Sequence, residues 1–323
     1  MTPAAPDDPR EDEVGRPGRA AGGSGRPGRA VTVRAPAKVN LHLEILRQRP
    51  DGYHDIETVF QALDLFDSIR VWHRERGGGS QLRLRVTPLS GAPAGQENLC
   101  WQAVRLFQRE TGCRGDLEIE LRKSIPAGAG LGGGSSDAAA VLVACNRLFG
   151  AGLEAADLER LAVGLGADVP FFIRGGTQLG RGRGTELRRL DPVRHAVFLV
   201  VKPPLSIGTA SVYAQLKMGL TVRAPKCNIR HAKALLARFP SSSWFGFNRL
   251  EEVVMPAHPE LQRLVGRLRE LAPVAMMCGS GAAVFAAFDE RSWTPYVRDE
   301  FDGPAWYVRV AGPHPAGVEI MEE

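Results

Sequence analysis

No stretch of this sequence holds the roughly 20 consecutive apolar residues that a membrane-spanning helix needs, and residues 1–30 lack the apolar segment of a secretory signal. Cysteine is sparse. Cys100, Cys113, Cys145, Cys227 and Cys278 are scattered, odd in number and never spaced C-x-x-C. That pattern argues against a disulfide framework or a structural zinc site and makes a reducing cytoplasm the expected compartment. The histidines never fall at H-x-x-x-H, so no transition-metal site is expected. Lysine and arginine do not gather into a block either. The net charge of +5 fits a nucleic-acid partner, an anionic small substrate or simply an arginine-rich surface. With no basic block to mark a polyanion groove, it does not by itself choose among them. The partner expected from the chain as a whole is a small molecule, with no nucleic acid and no membrane.

What the chain does contain is 44% hydrophobic and 24% charged residues over 323 positions, enough for two packed domains. Residues 1–30 stand apart. They repeat GRPGRA at 15–20 and 25–30 and carry acids (Asp7, Asp8, Glu11, Asp12, Glu13) that balance their arginines. With almost no large apolar side chains they cannot offset the entropy of ordering, so a disordered tail is expected.

From Val31 the pattern becomes that of a globular α+β protein. VTVRAPAKVNLHLEIL alternates in two pieces around Pro36, as paired strands would. DGYHDIETVFQALDLFDSIRVW reads as a turn followed by strand, and Gly77-Gly78-Gly79-Ser80 as the hairpin loop into QLRLRVTP. ENLCWQAVRLFQRETG has helical spacing and ends on Gly112, a C-cap residue. DLEIELRKSIP is a period-2 strand. A glycine-rich loop and the helices SSDAAAVLVACNRLFG and LEAADLERLAVGLG follow. Beyond about residue 190 come a buried strand (AVFLVVKPP), a short helix (SVYAQLKMG), an amphipathic helix (PELQRLVGRLREL), a strand pair in VAMMCGSGAAVFAAF, and a last strand, WYVRVAG.

The chemistry concentrates in Pro126-Ala127-Gly128-Ala129-Gly130-Leu131-Gly132-Gly133-Gly134-Ser135-Ser136. Glycines ahead of a helix bare their backbone N–H groups, and the positive end of the helix dipole adds to them. Together they make a cradle for a triphosphate. Ser135 and Ser136 can cap the helix or bond a phosphate oxygen or Mg²⁺, with Ser136 the candidate metal ligand. No Lys-Ser/Thr follows the last glycine, so this is not a Walker A loop. Gly128, Gly130 and Gly133 do spell G-x-G-x-x-G, but the strand before the loop has a polar face and helix follows helix. A dinucleotide fold is thereby set aside.

P-x-G-A-G-L-G-G-G-S-S-D-A-A is similar to the phosphate-binding motif of the GHMP kinases, the group of galactokinase, homoserine, mevalonate and phosphomevalonate kinases. Ala35-Pro-Ala-Lys-Val-Asn-Leu41 resembles that family's first motif and Cys278-Gly-Ser-Gly-Ala-Ala-Val-Phe285 its third, in the right order. Arg49-Pro-Asp-Gly-Tyr-His-Asp-Ile-Glu-Thr58 and Gly166-Ala-Asp-Val-Pro-Phe171 point to the branch whose alcohol substrate carries a diphosphocytidyl group. The resemblance runs from Val31 to the last strand. It implies ATP with Mg²⁺, a domain resembling ribosomal protein S5 domain 2 over 31–188, a ferredoxin-like domain over 189–323, and a monomer or homodimer.

It also implies roles. Asp168, in a partly buried G-A-D-V-P turn, is the expected base for the attacking hydroxyl, with Lys38 as its partner; without the resemblance an ordinary turn aspartate and an edge lysine read as well. Asn40 shares a strand face with Lys38 and can bond substrate oxygens. Lys123 resembles a family lysine near the nucleotide, though a surface cation fits as well. Tyr53 and His54 follow the turn Pro50-Asp51-Gly52 and, with Tyr213 opposite, would hold a cytosine. Departures fall in the second half, at Asn248-Arg249-Leu250 and at Cys278. The remaining alternatives are another GHMP small-molecule kinase, of homoserine or mevalonate type, and a non-catalytic nucleotide- or RNA-binding relative.

Overall fold

A computed structural model describes residues 28–74, 81–87, 93, 95–216, 229–241, 246–303 and 306–322. Most of the expected N-terminal tail and the 77–80 loop lie outside the described residues. The first sheet is built on two long strands, β1 (Ala30–Gln48) and β2 (His54–Arg74), paired antiparallel along their length. β1 is one strand and not two. Pro36 cannot donate to a ladder, and the pairing shifts register between Pro36 and Ala37, so a bulge absorbs the missing N–H.

The sheet continues with β3 (Leu82–Val86), helix α1 (Leu99–Thr111) and β4 (Asp116–Arg122). β3 does not form the expected hairpin with β2. It pairs parallel with β4, which takes the place beside β2. The physical reason is the crossover: α1 lies between β3 and β4 in sequence, and a helical crossover joins parallel neighbours. Leu117, Ile119 and Leu121 of β4 then bury against α1 and the next helix, α2 (Gly133–Phe149). α1 ends on the expected Gly112, left-handed at φ 71°, and begins on Asn98, whose side chain accepts from the Cys100 amide.

Two short helices follow, α3 (Ala155–Ala162) and α4 (Val169–Arg174), then the hairpin β5 (Thr177–Gly182) and β6 (Glu186–Arg189), in which β5 pairs with residues 56–61 of β2, on the edge β4 occupies at 68–74. The second sheet holds β7 (Ala196–Lys202) and three later strands. Between them lie α5 (Thr209–Gln215), α6 (Ile229–Leu236), the two-residue β8 (Phe247–Asn248), α7 (Glu251–Ala257) and α8 (Pro259–Leu271). β9 (Val274–Met277), β10 (Val284–Asp289), the one-turn α9 (Tyr296–Asp299) and β11 (Tyr307–Ala311) complete it in the order β11-β7-β10-β9.

The chain does not close on β11. A further strand of 3 residues, β12 (Glu319–Met321), returns to the free edge of β1. It is short and half polar, which is why its sequence carries no strand signal. β8 likewise crosses over, pairing parallel with His42 and Leu43 of β1. These two crossings tie the C-terminal half onto the strand that carries Lys38 and Asn40.

Candidate active site

The phosphate-cradle loop owes its shape to contacts that exclude side chains. Gly128, Gly130 and Gly132 sit at φ 60°, 75° and 71°, where L-residues are strained. Gly132 is the N-cap of α2, and a Cβ there would lie 2.7 Å from the Phe172 ring and 3.0 Å from Lys38 Cγ. The amides of Gly133, Gly134 and Ser135 form the open first turn, free of intrahelical partners. Behind the loop, Lys123 is clamped between two carboxylates, Asp67 and Asp137, the latter at 2.6 Å. Asp67 also accepts from the Ser124 and Ile125 amides, fixing the strand exit that delivers the loop. Burial pulls Lys123 down, but Asp137 and Asp67 outweigh it and hold its ammonium above the ordinary lysine value. Burial pushes the Asp137 carboxyl up, against the pull of Lys123.

Lys38 approaches the loop from β1. Its amide donates to the Leu131 carbonyl at 3.0 Å, and its buried ammonium lies 2.8 Å from Asn40 Oδ1 and 3.5 Å from Asp168 Oδ2. Asn40 in turn donates to Thr58 Oγ1 at 2.8 Å, and Thr58 donates to the His42 carbonyl at 2.7 Å. This relay leaves the lysine one orientation, toward Asp168. Asp168 stands at the N-cap of α4 but makes no side-chain cap bond, so its carboxylate, 36% exposed, stays turned to Lys38 and the open space. α4 is held in place by Phe171 and Phe172, both fully buried, and by the Val318 amide donating to Phe172 O.

The C-terminal domain closes one wall. The Ala282 and Ala283 amides donate to the carbonyls of Gly128 and Ala129, so the Gly279-Ser280-Gly281 turn is sewn onto the phosphate loop. Asn248, which the sequence left without a role, donates to Met277 O and Gly279 O and pins that turn from behind. Cys278, where a hydroxyl residue is usual in the resembling family, is fully buried and its thiol is pushed up to about 12 by burial, so it acts as a small inert core residue.

At the far end stand the aromatic residues. Tyr53 is 53% exposed, and the His54 and Tyr213 ring centroids are 5.3 Å apart. Burial lowers the His54 pKa, which keeps the imidazole neutral at pH 7 with one donor and one acceptor. The Tyr213 phenol is pushed up, by burial first and then by the Asp168 charge.

All these parts line a single cleft of about 1010 Å³. Lys38, Asn40, Tyr53, His54, Lys123, residues 126–135, Asp168 and Tyr213 face it. Ser136 does not. Its hydroxyl is buried without a hydrogen-bond partner among the described residues, whereas Ser135 lines the cleft. Sequence reasoning passed over Asp67, Asp137, Thr58 and Asn248; Asp137 was visible as the acid directly after the two serines.

Residues 98–176 match the model of the GHMP kinases N terminal domain, and residues 229–292 that of the GHMP kinases C terminal domain. A curated relative from Pelotomaculum thermopropionicum is 40% identical over 79% of this chain and 88% of its own length. One from Ralstonia nicotianae is 39% identical over 82% and 88%. This chain belongs to the GHMP kinase family. Both relatives are named 4-diphosphocytidyl-2-C-methyl-D-erythritol kinase. A solved structure of 4-(cytidine 5'-diphospho)-2C-methyl-D-erythritol kinase is 34% identical, with TM-score 0.70, over 88% of this GHMP kinase and 100% of that chain. Homoserine kinase from Cytophaga hutchinsonii shares the fold alone, at 19% identity and TM-score 0.67. Among the described residues no helix of this kinase is long and apolar enough to cross a membrane.

Proposed function

We propose that this GHMP kinase transfers the γ-phosphoryl group of ATP to the 2-hydroxyl of 4-diphosphocytidyl-2-C-methyl-D-erythritol, a step of the non-mevalonate isoprenoid pathway, in the cytoplasm. One observation carries the reading: the Lys38–Asp168 pair, the glycine cradle and a Tyr53/His54/Tyr213 aromatic group line one cleft. The cradle takes the triphosphate, the aromatic group takes the cytosine, and the pair lies where the two meet. The relatives' names point the same way.

In the proposed mechanism Asp168 takes the proton of the 2-hydroxyl as its oxygen attacks the γ-phosphorus. The bond from the γ-phosphorus to the bridging oxygen breaks, and ADP leaves with that electron pair. Lys38, oriented by Asn40 and paired with Asp168 at 3.5 Å, steadies the negative charge on the attacking oxygen. The amides of Gly133, Gly134 and Ser135 hold the triphosphate at the mouth of α2. Among the described residues no group of acids and histidines could hold a resident metal. A magnesium ion accompanying ATP would neutralise phosphate charge, and Ser135, Ser136 and Asp137 would be the oxygen donors nearest that mouth.

The rival reading, a homoserine- or mevalonate-type kinase, leaves the aromatic end of the cleft without a purpose. Following ADP release with the cytidyl substrate, homoserine and mevalonate separates them. Turnover confined to the cytidyl substrate is expected. Turnover of a smaller alcohol instead would overturn the reading, and none with any alcohol would favour a non-catalytic binding protein.

A further inference from the structure

Among the described residues, the lysines and arginines lining the cleft are Lys38, Lys123 and Arg183. Two of them are neutralised within the fold, Lys38 by Asp168 and Lys123 by Asp67 and Asp137. Arg183 has no ion pair among the described residues. It stands in the β5–β6 turn between Gly182 at φ 62° and Gly184 at φ 97°, a backbone path that lifts one side chain out of the hairpin. The neighbouring arginine of that hairpin, Arg181, is spent on Glu57 at 2.9 Å. Arg183 instead lays its guanidinium over Tyr53, with its central carbon 3.5 Å from the ring centroid. Its Nε is buried and has no hydrogen-bond partner. Asp51 feels the Arg183 charge, but its oxygens already accept from Arg49 Nε and the Tyr53 amide.

A guanidinium fixed on an aromatic face, with a donor left unsatisfied, is prepared for an acceptor that comes from outside the chain. We infer that Arg183 is a substrate-binding residue that takes the diphosphate of the substrate. The inference rests on the diphosphocytidyl reading of this cleft. In such a substrate the diphosphate joins the base to the reacting alcohol, so it must run along the same cleft as both. Its charge needs a cation, and among the described residues Arg183 is the lining cation not already neutralised. The planar fork suits phosphate oxygens two at a time, which an ammonium does not match. Tyr53 would hold that fork in place on one face and leave the other to the base.

The test is calorimetric titration of the full chain, its nucleotide site filled with a non-hydrolysable ATP analogue. CDP and cytidine are titrated into wild type, Arg183→Gln and Arg183→Lys. Arg183→Gln should weaken CDP about ten- to a hundredfold, the range of a charge-assisted hydrogen bond, and leave cytidine unchanged. Arg183→Lys should recover part of the CDP loss. Equal weakening of CDP and cytidine in both variants would overturn the inference, showing that Arg183 acts only by positioning Tyr53. Unchanged CDP binding would overturn it too. A wild type that binds neither ligand would instead remove the diphosphocytidyl reading, and the inference with it.

Discussion

A Cβ on Gly130 would fall 1.8 Å from the carbonyl oxygen of Cys278. The phosphate loop of the first domain and the glycine turn of the second thus meet backbone to backbone, with no room for a methyl group. The Ala282 and Ala283 amides close the same seam. Gly130→Ala should therefore push the two loops apart and strain a residue held at φ 75°. A displacement near 1 Å at a phosphoryl-transfer site costs about a hundredfold in rate. Steady-state kinetics should show a loss of that order in kcat/KM, and a variant with near wild-type rates would mean the seam has no part in aligning the phosphates.

Glu44 and Arg249 form a second bridge across the halves. Both are buried, and the guanidinium meets the carboxylate through two bonds of 2.6 and 2.7 Å. Arg249 also reaches Glu252 at 2.5 Å. The arginine that departs from the family pattern is thus answered by a glutamate on β1. Arg249→Met strands the buried Glu44 carboxylate and should cost about 3–5 kcal/mol in denaturant unfolding, while Glu44→Met leaves Arg249 its bond to Glu252 and should cost less. The double variant should recover much of that loss. A double variant as unstable as the sum of the singles would show the two side chains do not act as a pair.

His42 sets an acid limit. Burial, opposed by Glu44 and reinforced by the Arg249 charge, lowers its pKa from 6.5 to about 4. Between those values the unfolded chain binds a proton that the fold refuses, so stability falls as pH drops from 6.5 toward 4 and is fully present above 6.5. The full difference is worth about 3 kcal/mol. In thermal melts across that window, His42→Asn should flatten the acid limb relative to wild type. An unchanged slope would place the acid sensitivity elsewhere.

Most of the site was legible because its parts are local. The glycine loop, Lys38 with Asn40 two residues on, and the Gly52-Tyr53-His54 turn each sit in one short segment, where spacing speaks directly of backbone and face. Other features depend on partners far along the chain. Asp67 reads as one more strand residue until β4 brings Lys123 to it from 56 positions away. Arg183 reads as part of an arginine-rich hairpin until its turn sets it on Tyr53. β8 and β12 are too short to show a period, yet they pin the strand that carries Lys38. Ser136 is singled out by residue type alone; that its hydroxyl would be fully buried on the first turn of α2 follows from helix phase and packing, which the residue type does not show. The parallel β3–β4 pair follows from the helix between them, which outweighs the hairpin that a glycine-rich loop suggests.

The Lys38–Asp168 pair bears most directly on the proposed chemistry, and single-turnover transfer with ATP and 4-diphosphocytidyl-2-C-methyl-D-erythritol measures it. Asp168→Asn keeps the size and the N-cap position of the side chain, which makes no cap bond to lose. It removes the proton acceptor. The transfer rate should fall by about 10²- to 10⁴-fold, the usual worth of a positioned base, with ATP and substrate still bound. A variant that transfers phosphate at the wild-type rate would contradict the assignment of Asp168 as the base.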